Sequence, residues 1–323
     1  MRHSAILFTS ATCALTLLAL SAALPARAQV TTGSITGYVF DPAKRPIVGA
    51  QVAVSDSLRA NVRQAVTDSK GLYYLADLPP ATYTLDCSAA SFAVSSVHIQ
   101  VEVNAIARMD FHLTIAARRE TITLVEETPA LQTESGELGT VIDQSRIDSL
   151  PLNERNFLRL ALLTPGVLPP VENSELSTRD SFAMHANGGR EEYNDYLLDG
   201  VDNNDQDVNR YVLQPSVDTI QEFKIATNSY SAEYGRNAGG QVNVITRSGT
   251  NDWHGFAYDY LRNRDLDARN YFDGSVKPEY VRNQFGGGVG GRIVRNRTFF
   301  YVTYDSLRDR SGFSHLATFP TAA

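Results

Sequence analysis

Short runs in which apolar and polar residues alternate recur along this chain, and the pattern predicts a mostly β protein. The first part, residues 29–116, contains five β-prone runs separated by turn residues such as Asp41-Pro42 and Pro79-Pro80. The runs are Ile35–Phe40, Ala50–Ser55, Leu72–Leu75, Tyr83–Ser88 and Val97–Val103. Their regular spacing predicts an antiparallel β-sandwich with one closed core.

The middle part, residues 117–250, combines a helix pattern with short strands. Residues at helical spacing predict one packed face made of Phe157, Leu160, Ala161 and Thr164. Asn153 is the candidate N-cap of this helix, and Thr164-Pro165-Gly166 is expected to end it. Two further β-prone runs, Phe223–Ala226 and Gln241–Thr246, flank a turn-rich segment with two adjacent glycines. Together these patterns predict a small α+β element with close backbone contacts.

Long alternating runs follow Thr250 and are typical of transmembrane β-strands, which are apolar toward lipid and polar inside. The alternating side chains fall into three groups: Phe256, Tyr258 and Tyr260; Phe285, Val289 and Ile293; Phe300, Val302 and Tyr304. A barrel of ~22 strands needs roughly 220 residues, whereas 76 residues follow Arg247. The chain is therefore expected to be truncated, with about three strands of an incomplete barrel.

The first 28 residues predict a cleavable secretory signal peptide. They have a basic start, an apolar run and the small-residue cleavage site Ala26-Arg27-Ala28. Cleavage leaves 27 basic and 36 acidic residues, an acidic balance that excludes a nucleic-acid partner. Cleavage also leaves Cys87 as the one cysteine, which excludes an internal disulfide and favours a small buried strand residue. No later stretch is apolar enough for a transmembrane helix, so membrane insertion requires a barrel.

The first part resembles the carboxypeptidase regulatory-like domain, a seven-stranded β-sandwich. The matching segments are G-S-I-T-G-Y-V-F-D at Gly33–Asp41, P-I-V-G-A-Q-V at Pro46–Val52, T-D-S-K-G-L-Y at Thr67–Tyr73 and L-P-P-A-T-Y-T-L at Leu78–Leu85. Gly71 follows a turn and is expected to adopt a positive φ. Ala81 stands where that family usually has glycine. The resemblance implies no hydrolase chemistry.

The middle part resembles the plug domain of TonB-dependent outer-membrane receptors. The similar segments are I-Q-E-F-K-I from Ile220, A-E-Y-G-R from Ala232, and G-G-Q-V-N-V-I-T-R from Gly239. A further segment, Y-L-L-D-G-V-D from Tyr196, resembles the strand and turn Y-x-L-D-G-V of the same family. The plug-motif residues are therefore Tyr196, Leu198, Asp199, Gly200, Glu233, Tyr234, Gly235, Gly239, Gly240 and Asn243.

Two more segments resemble the Oar-like branch of these receptors, which carries an N-terminal sandwich. The string L-P-L-N-E-R-N at Leu150–Asn156 resembles L-P-L-N-G-R-N, with Glu154 in place of glycine. The block at Arg282–Arg292 resembles R-N-Q-F-G-G-x-x-G-G-P, with Arg292 in place of proline. It is not a phosphate-binding loop, because no G-K-[ST] follows it.

The alternating strand Glu120–Glu127 resembles a TonB box, the segment that a receptor offers to its energising partner by strand addition. The candidate residues are Glu120, Thr121, Ile122, Thr123 and Leu124. Two structural interpretations stay open beside this one: the segment is the last strand of the sandwich, or it is the first strand of the plug.

The sequence predicts no catalytic, cofactor-binding or metal-binding residues. It has no G-x-S-x-G or H-E-x-x-H motif, so an enzyme is not expected. His98 and His112 have no acid at ligand spacing. An acidic cluster after the Y-L-L-D-G-V-D segment lacks the EF-hand spacing and is expected to be a solvated loop. It consists of Asp199, Asp202, Asp205 and Asp207.

These resemblances imply four segments: a signal peptide at 1–28, a sandwich at 29–116 on the periplasmic side, a plug at 117–250, and the start of an outer-membrane barrel at 251–323. The implied function is uptake of an extracellular solute, such as a carbohydrate, peptide or siderophore. The implied partner is an energising protein of the TonB type. The alternative is a secreted carbohydrate- or peptide-binding sandwich with a degenerate receptor tail.

Overall fold

The computed structural model describes residues 31–56, 58–59, 62–115, 122–123, 135–150, 152, 155–171, 183–269 and 277–312, with the backbone alone at 122–123. The predicted signal peptide, residues 116–121 and 124–134, and Asn153 lie outside the described residues. Within these ranges, no helix has the length and apolar character needed to cross a membrane.

The N-terminal strands form two sheets that pack around one core. They are β1 (Gly33–Phe40), β2 (Gln51–Ser55), β3 (Val62–Val66), β4 (Leu72–Leu78), β5 (Ala81–Ser88), β6 (Ser95–Val101), β7 (Ile106–Arg108), β8 (Phe111–His112) and β9 (Ile122–Thr123). One sheet has the order β4-β1-β7, with β8 also paired to β1, and the other has the order β3-β2-β5-β6-β9. All five predicted runs form strands, whereas β3 escapes prediction because it is mostly exposed and shows little alternation.

Because β7 and β8 lie end to end along β1, β1 to β8 make up the seven strands expected, and β9 adds an eighth at the edge of β6. Met109 and Asp110 separate β7 from β8, and the Asp110 Oδ1 accepts a hydrogen bond of 2.9 Å from the Tyr38 backbone N–H. Gly71 has a φ of 76°, which confirms the predicted turn. Cys87 is buried in the core, as predicted, and burial raises the pKa of its thiol to about 12.

The next strands form a five-stranded sheet, here called the middle sheet, with the order β10-β15-β16-β13-β14. Its strands are β10 (Leu138–Asp143), β13 (Asp195–Leu198), β14 (Val201–Asp202), β15 (Ile220–Asn228) and β16 (Gln241–Thr246). A separate two-stranded ladder joins β11 (Val167–Leu168) to β12 (His185–Ala186). The helices are α1 (Gln144–Ser149) and the 3₁₀ turns η1 (Phe157–Leu163), η2 (Glu191–Tyr193) and η3 (Val217–Thr219).

The predicted helix after Asn153 begins later than expected and is a 3₁₀ helix. Arg155 has a φ of 51°, a left-handed conformation that no right-handed helix accommodates. The N-cap is therefore Asn156, whose Oδ1 accepts from the Leu158 N–H at 3.0 Å. The predicted packed face is confirmed: it is buried, and the Phe157 ring packs edge-on against Phe223 at 5.3 Å.

The last strands form a third sheet with the order β17-β18-β19. The strands are β17 (His254–Asn263), β18 (Tyr280–Val294) and β19 (Thr298–Ser311), and the 3₁₀ turn η4 (Arg264–Leu266) follows β17. The turn between β18 and β19 includes Asn296, which has a φ of 59°.

The two faces of the third sheet differ in character. The β17–β18–β19 register places Phe256, Tyr258 and Tyr260 on one face and Val289 and Val302 on the other. The first face, here called the inner face, contacts residues that precede β15, as described below. The second carries exposed aliphatic side chains, with Val302 60% exposed.

The glycines of β18 make room for aromatic rings on the inner face. A Cβ on Gly286 would lie 2.6 Å from the Tyr258 hydroxyl oxygen, and one on Gly288 would lie 2.6 Å from the Phe256 ring. A Cβ on Gly290 would lie 2.4 Å from the Tyr301 ring. The glycine cluster therefore lets large side chains of β17 and β19 lie flat across β18, a known way of stabilising glycine in sheets.

Candidate functional site

The runs predicted as strands at Phe223–Ala226 and Gln241–Thr246 form β15 and β16, which are neighbours at the centre of the middle sheet. β15 and β16 pair antiparallel, and β16 also pairs in parallel with β13, which contains Tyr196 and Leu198. One face of these strands is apolar and packs on η1 through Phe223, Ile225 and Val242. Tyr196 is buried in this core against the Tyr211 ring at 5.9 Å.

Asp199 and Gly200 form the two-residue turn of the β13–β14 hairpin. Their φ angles of 49° and 78° are both positive, as a type I′ turn requires. The Asp199 carboxylate accepts two hydrogen bonds of 2.8 Å from Thr246, one from its backbone N–H and one from its hydroxyl. The D-G pair thus makes the turn, and its acid ties the hairpin to the end of β16.

The other acids of the predicted solvated loop mostly have local protein partners. Asp202 pairs with Arg236. Asp205 pairs with Arg210 at 2.9 Å and accepts from the Val208 N–H at 2.8 Å. No group of three or more His, Cys, Asp or Glu side chains in the described ranges is arranged to hold a metal ion. These contacts tie the 199–210 loop together through Arg210 and to the rest of the middle region through Thr246 and Arg236.

Asn194 is a buried hub that the sequence analysis did not identify. Its Nδ2 donates to the Met184 carbonyl at 2.7 Å, and its Oδ1 accepts from the Gly240 N–H at 3.0 Å. Its carbonyl accepts from the Nδ2 atoms of Asn209 and Asn237 at 2.7 and 2.9 Å. One side chain and its carbonyl therefore hold three loops together, a role visible only once the loops are brought into contact.

The two glycines before β16 fit closely against this hub. The Gly239 N–H donates to the Tyr193 carbonyl at 2.7 Å, and a Cβ on Gly239 would lie 2.5 Å from the same oxygen. A Cβ on Gly240 would lie 3.0 Å from the Ala186 Cβ. The predicted close backbone contact is confirmed at both positions. Gly235 differs, because a Cβ there would have no atom nearer than 3.9 Å.

The remaining motif residues are not gathered into one pocket. Glu233 is exposed, whereas Tyr234 is almost completely buried. Burial raises the pKa of the Tyr234 hydroxyl to about 12. Asn243 lies on the opposite face of β16 from Val242 and Val244, and it is 4% exposed. The motif residues thus act mainly by shaping the middle sheet and its loops.

The second face of the middle sheet is polar but buried, because a turn of the sandwich covers it. Glu222 accepts a hydrogen bond of 2.6 Å from the Val103 N–H in this turn, residues 102–105. Lys224 donates to the Asn104 carbonyl at 2.9 Å and pairs with Glu137 at 2.9 Å. Since both side chains are at most 5% exposed, the 102–105 turn is an integral part of this sheet's packing.

Glu222 has an unusual protonation equilibrium in this position. Burial raises the pKa of its carboxyl to about 7. The Val103 N–H and the Lys224 ammonium lower it, whereas the charges of Glu102 and Asp143 raise it further. The contact between sandwich and middle sheet therefore contains a group that titrates near neutral pH.

Arg155 joins the middle region to the inner face of the third sheet. Its guanidinium pairs with Asp218 at 2.6 Å and lies 4.0 Å from the Tyr260 ring centroid. Nearby, the Tyr258 hydroxyl lies 3.0 Å from the Ser216 hydroxyl and donates to Asp305. Arg155, from the L-P-L-N-E-R-N segment, thus contacts the rings of Tyr258 and Tyr260. The sequence pattern predicted only that these two tyrosines share a face of one strand.

Replacing Arg155 by alanine is expected to lower the free energy of unfolding by about 2 kcal/mol, because Asp218 loses its partner and Tyr260 its cation–π contact. Arg155→Lys keeps the charge but not the planar stack, so an intermediate loss is expected. Thermal unfolding of the detergent-solubilised chain measures both. If the lysine variant matches the wild type, the stacking contact contributes nothing.

The candidate TonB box is described only at Ile122 and Thr123. Their backbones pair in parallel with Ser95 and Ser96 of β6, at the edge of the sandwich. Glu120, Thr121 and Leu124 lie outside the described residues. The observed pairing agrees with the structural interpretation as a last sandwich strand, and it leaves the TonB-box interpretation a prediction.

A cleft of about 1000 Å³ lies between the sandwich, the middle sheet and the start of β17. The sandwich contributes Thr84 and His98, the middle region contributes Gln221 and Arg247, and His254 begins the third wall. His98 is exposed, and its Nδ1 lies 3.2 Å from the Thr84 hydroxyl oxygen. The lining residues include charges of both signs, such as Arg247 and Glu222, beside apolar residues such as Leu58 and Val101.

Comparison with family models identifies the two ends of the chain. Residues 34–114 match the carboxypeptidase regulatory-like domain. Residues 245–323 match the outer membrane beta barrel domain. The predicted sandwich and the predicted outer-membrane location are thereby confirmed.

Over 291 residues, 84% of this chain, the sequence is 27% identical to the TonB-dependent transporter Oar of Myxococcus xanthus. The predicted resemblance to an Oar-like TonB-dependent receptor is therefore confirmed. The chain spans 26% of the length of that curated relative.

Two solved structures show weaker likeness. The siderophore receptor PirA from Acinetobacter baumannii has a TM-score of 0.39 and 22% identity, over 52% of this chain and 24% of that one. Catechol 1,2-dioxygenase from Acinetobacter radioresistens has a TM-score of 0.24 and 16% identity, over 31% of this chain and 57% of that one. Both TM-scores are too low to bear on function.

Proposed function

We propose that this chain supplies the sandwich, the plug and the first barrel strands of a TonB-dependent outer-membrane receptor that admits an extracellular solute to the periplasm. The segments are those expected from the sequence: a signal peptide at 1–28, the sandwich at 29–116, the plug at 117–250 and the barrel start at 251–323. The similarity to the transporter Oar along most of the chain supports this proposal.

The observation that carries the proposal is the contact between the middle sheet and the third sheet. β16 continues through residues 247–253 into β17, and Arg155 and Ser216 contact the inner face of the third sheet. A plug inside a barrel requires this contact between plug residues and the interior face of the strands, which leaves the opposite face toward lipid. The exposed Val289 and Val302 on the other face fit a surface toward lipid.

The same contacts suggest how admission of a solute would proceed. The plug is held on one side by Arg155 and on the other by the 102–105 turn, through Glu222 and Lys224. These contacts are polar, so a partner that pulls on the chain between sandwich and plug would load them. We assign that role to a TonB-type protein, with Glu120–Leu124 as the TonB box and no enzymatic step.

Replacing Ile122 by proline is expected to abolish most of the binding to a TonB periplasmic domain, with at least a tenfold rise in Kd. Proline removes a ladder donor and fixes φ near −65°, whereas Ile122→Val keeps the strand and is expected to bind like the wild type. Isothermal titration calorimetry of the detergent-solubilised chain measures both affinities.

Thermal unfolding of the same two variants is the control, because the backbone of Ile122 also pairs with Ser95 of the sandwich. Normal binding by the proline variant contradicts the TonB-box assignment. So does a loss of binding that is accompanied by unfolding of the sandwich, since the segment would then be a structural strand.

A further inference from the structure

Asn243, in the middle of β16, is a buried amide without a hydrogen-bond partner. Neither its Oδ1 nor its Nδ2 is bonded to any group in the described ranges, although the side chain is 4% exposed. On the same face, the Oε1 of Gln241 is also buried and unbonded among the described residues. Buried polar atoms are nearly always satisfied, so two such amides on one strand require an explanation.

A small cavity of about 10 Å³ adjoins both amides. Its lining combines the middle sheet with the sandwich turn and includes Asn104, Glu137, Lys224, Tyr234, Gln241 and Asn243. A cavity needs a volume of at least ~10–15 Å³ and two to four polar partners to hold one water molecule. The size and the lining both meet these requirements.

The chemistry of the lining selects the ligand. The Lys224 ammonium disfavours a cation, the Glu137 carboxylate disfavours an anion, and the volume excludes any organic molecule. A water molecule both donates and accepts, and the site offers a donor at Asn243 Nδ2 and acceptors at Asn243 Oδ1 and Gln241 Oε1. Lys224 already directs two of its three N–H bonds to Asn104 and Glu137.

We propose that this cavity binds one water molecule, which satisfies Asn243 and Gln241 and connects β16 to the Lys224–Glu137 pair beneath the 102–105 turn. The site is independent of the TonB assignment. It makes the contact between sandwich and middle sheet a hydrated one at this point.

A crystal structure of the full chain, at a resolution that shows other buried waters, tests the proposal directly. The expected result is density within hydrogen-bonding distance of Asn243. Asn243→Leu fills the site with an apolar group of similar volume and leaves Gln241 Oε1 unbonded. It is therefore expected to remove the density and lower Tm by about 3 °C or more.

Asn243→Ser is the matched control, because the serine hydroxyl can still form a hydrogen bond with the bound water molecule. The Tm of this variant is expected to stay closer to that of the wild type than the Tm of Asn243→Leu does. If the cavity holds no water, Asn243→Leu is instead expected to leave Tm unchanged or raise it, because the substitution removes two unsatisfied polar atoms from a dry site. An unchanged or higher Tm for Asn243→Leu overturns the proposal. Absence of density beside Asn243 in the wild-type crystal overturns it as well.

Discussion

Replacing Gly239 by alanine is expected to lower the free energy of unfolding by about 3 kcal/mol. A Cβ at this position would lie 2.5 Å from the Tyr193 carbonyl oxygen and 2.9 Å from Asn194 Oδ1. The first of these atoms is backbone, and it already accepts the Gly239 N–H, so neither side can move without breaking that hydrogen bond. Thermal or denaturant unfolding of the detergent-solubilised chain measures the loss.

Gly235→Ala is the matched control for this experiment. Gly235 belongs to the same turn-rich segment, but the nearest atom to its added Cβ would be the Ala232 carbonyl oxygen at 3.9 Å. A change within about 0.5 kcal/mol is expected. Equal destabilisation by the two substitutions would mean that loss of glycine flexibility, rather than contact with the Asn194 hub, determines the effect.

The pH dependence of stability is expected to show a component from Glu222 that favours acidic conditions. Its folded-state pKa of about 7 lies above the ordinary value of 4.5, because burial favours the protonated form. A raised pKa contributes stability that is fully present below the unfolded value and is lost as the pH rises through the folded value. The free energy of unfolding is therefore expected to fall by roughly 3 kcal/mol as the pH rises from below the unfolded-state pKa to above the folded-state pKa.

Glu222→Gln isolates this component, since glutamine still offers an oxygen to the Val103 N–H but does not ionise. The wild type is expected to lose stability relative to Glu222→Gln as the pH rises from 5 to 8. The measurement is thermal unfolding of both proteins across that range. Parallel pH profiles for the two proteins would show that Glu222 does not titrate in this window.

The strand β16 and the β13–β14 turn could be predicted because each depends on the residue types of a short stretch of sequence. Asp199-Gly200 predicts a hairpin turn by itself, and the Gln241–Thr246 run predicts its own strand. Asn194 could not be predicted, because its partners near residues 184, 209, 237 and 240 come together only in the folded chain. The same holds for the glycines of β18, whose purpose depends on the register with Phe256 and Tyr301.

One expectation failed for an identifiable physical reason, and the burial of one strand face could not have been predicted. The sequence around Asn153 has good capping residues, but the left-handed conformation of Arg155 moves the helix start to Phe157. The alternation E-F-K-I at Glu222–Ile225 would ordinarily indicate one solvated face, yet the 102–105 turn of the sandwich covers Glu222 and Lys224. Burial by a distant segment leaves no trace in a local pattern.

The short connection from β16 to β17 limits how far the middle sheet can move relative to the third sheet. At Gly249 the chain runs so close to the third sheet that a Cβ would lie 2.3 Å from the Phe300 carbonyl oxygen and 2.7 Å from that of Gly291. Only two residues, Arg247 and Ser248, separate Thr246, the end of β16, from this contact point. With so little slack, the middle sheet has a fixed point at its junction with the barrel strands. The Arg155–Tyr260 and Ser216–Tyr258 contacts add further fixed points, so moving the middle region away from these strands requires breaking contacts at all of them.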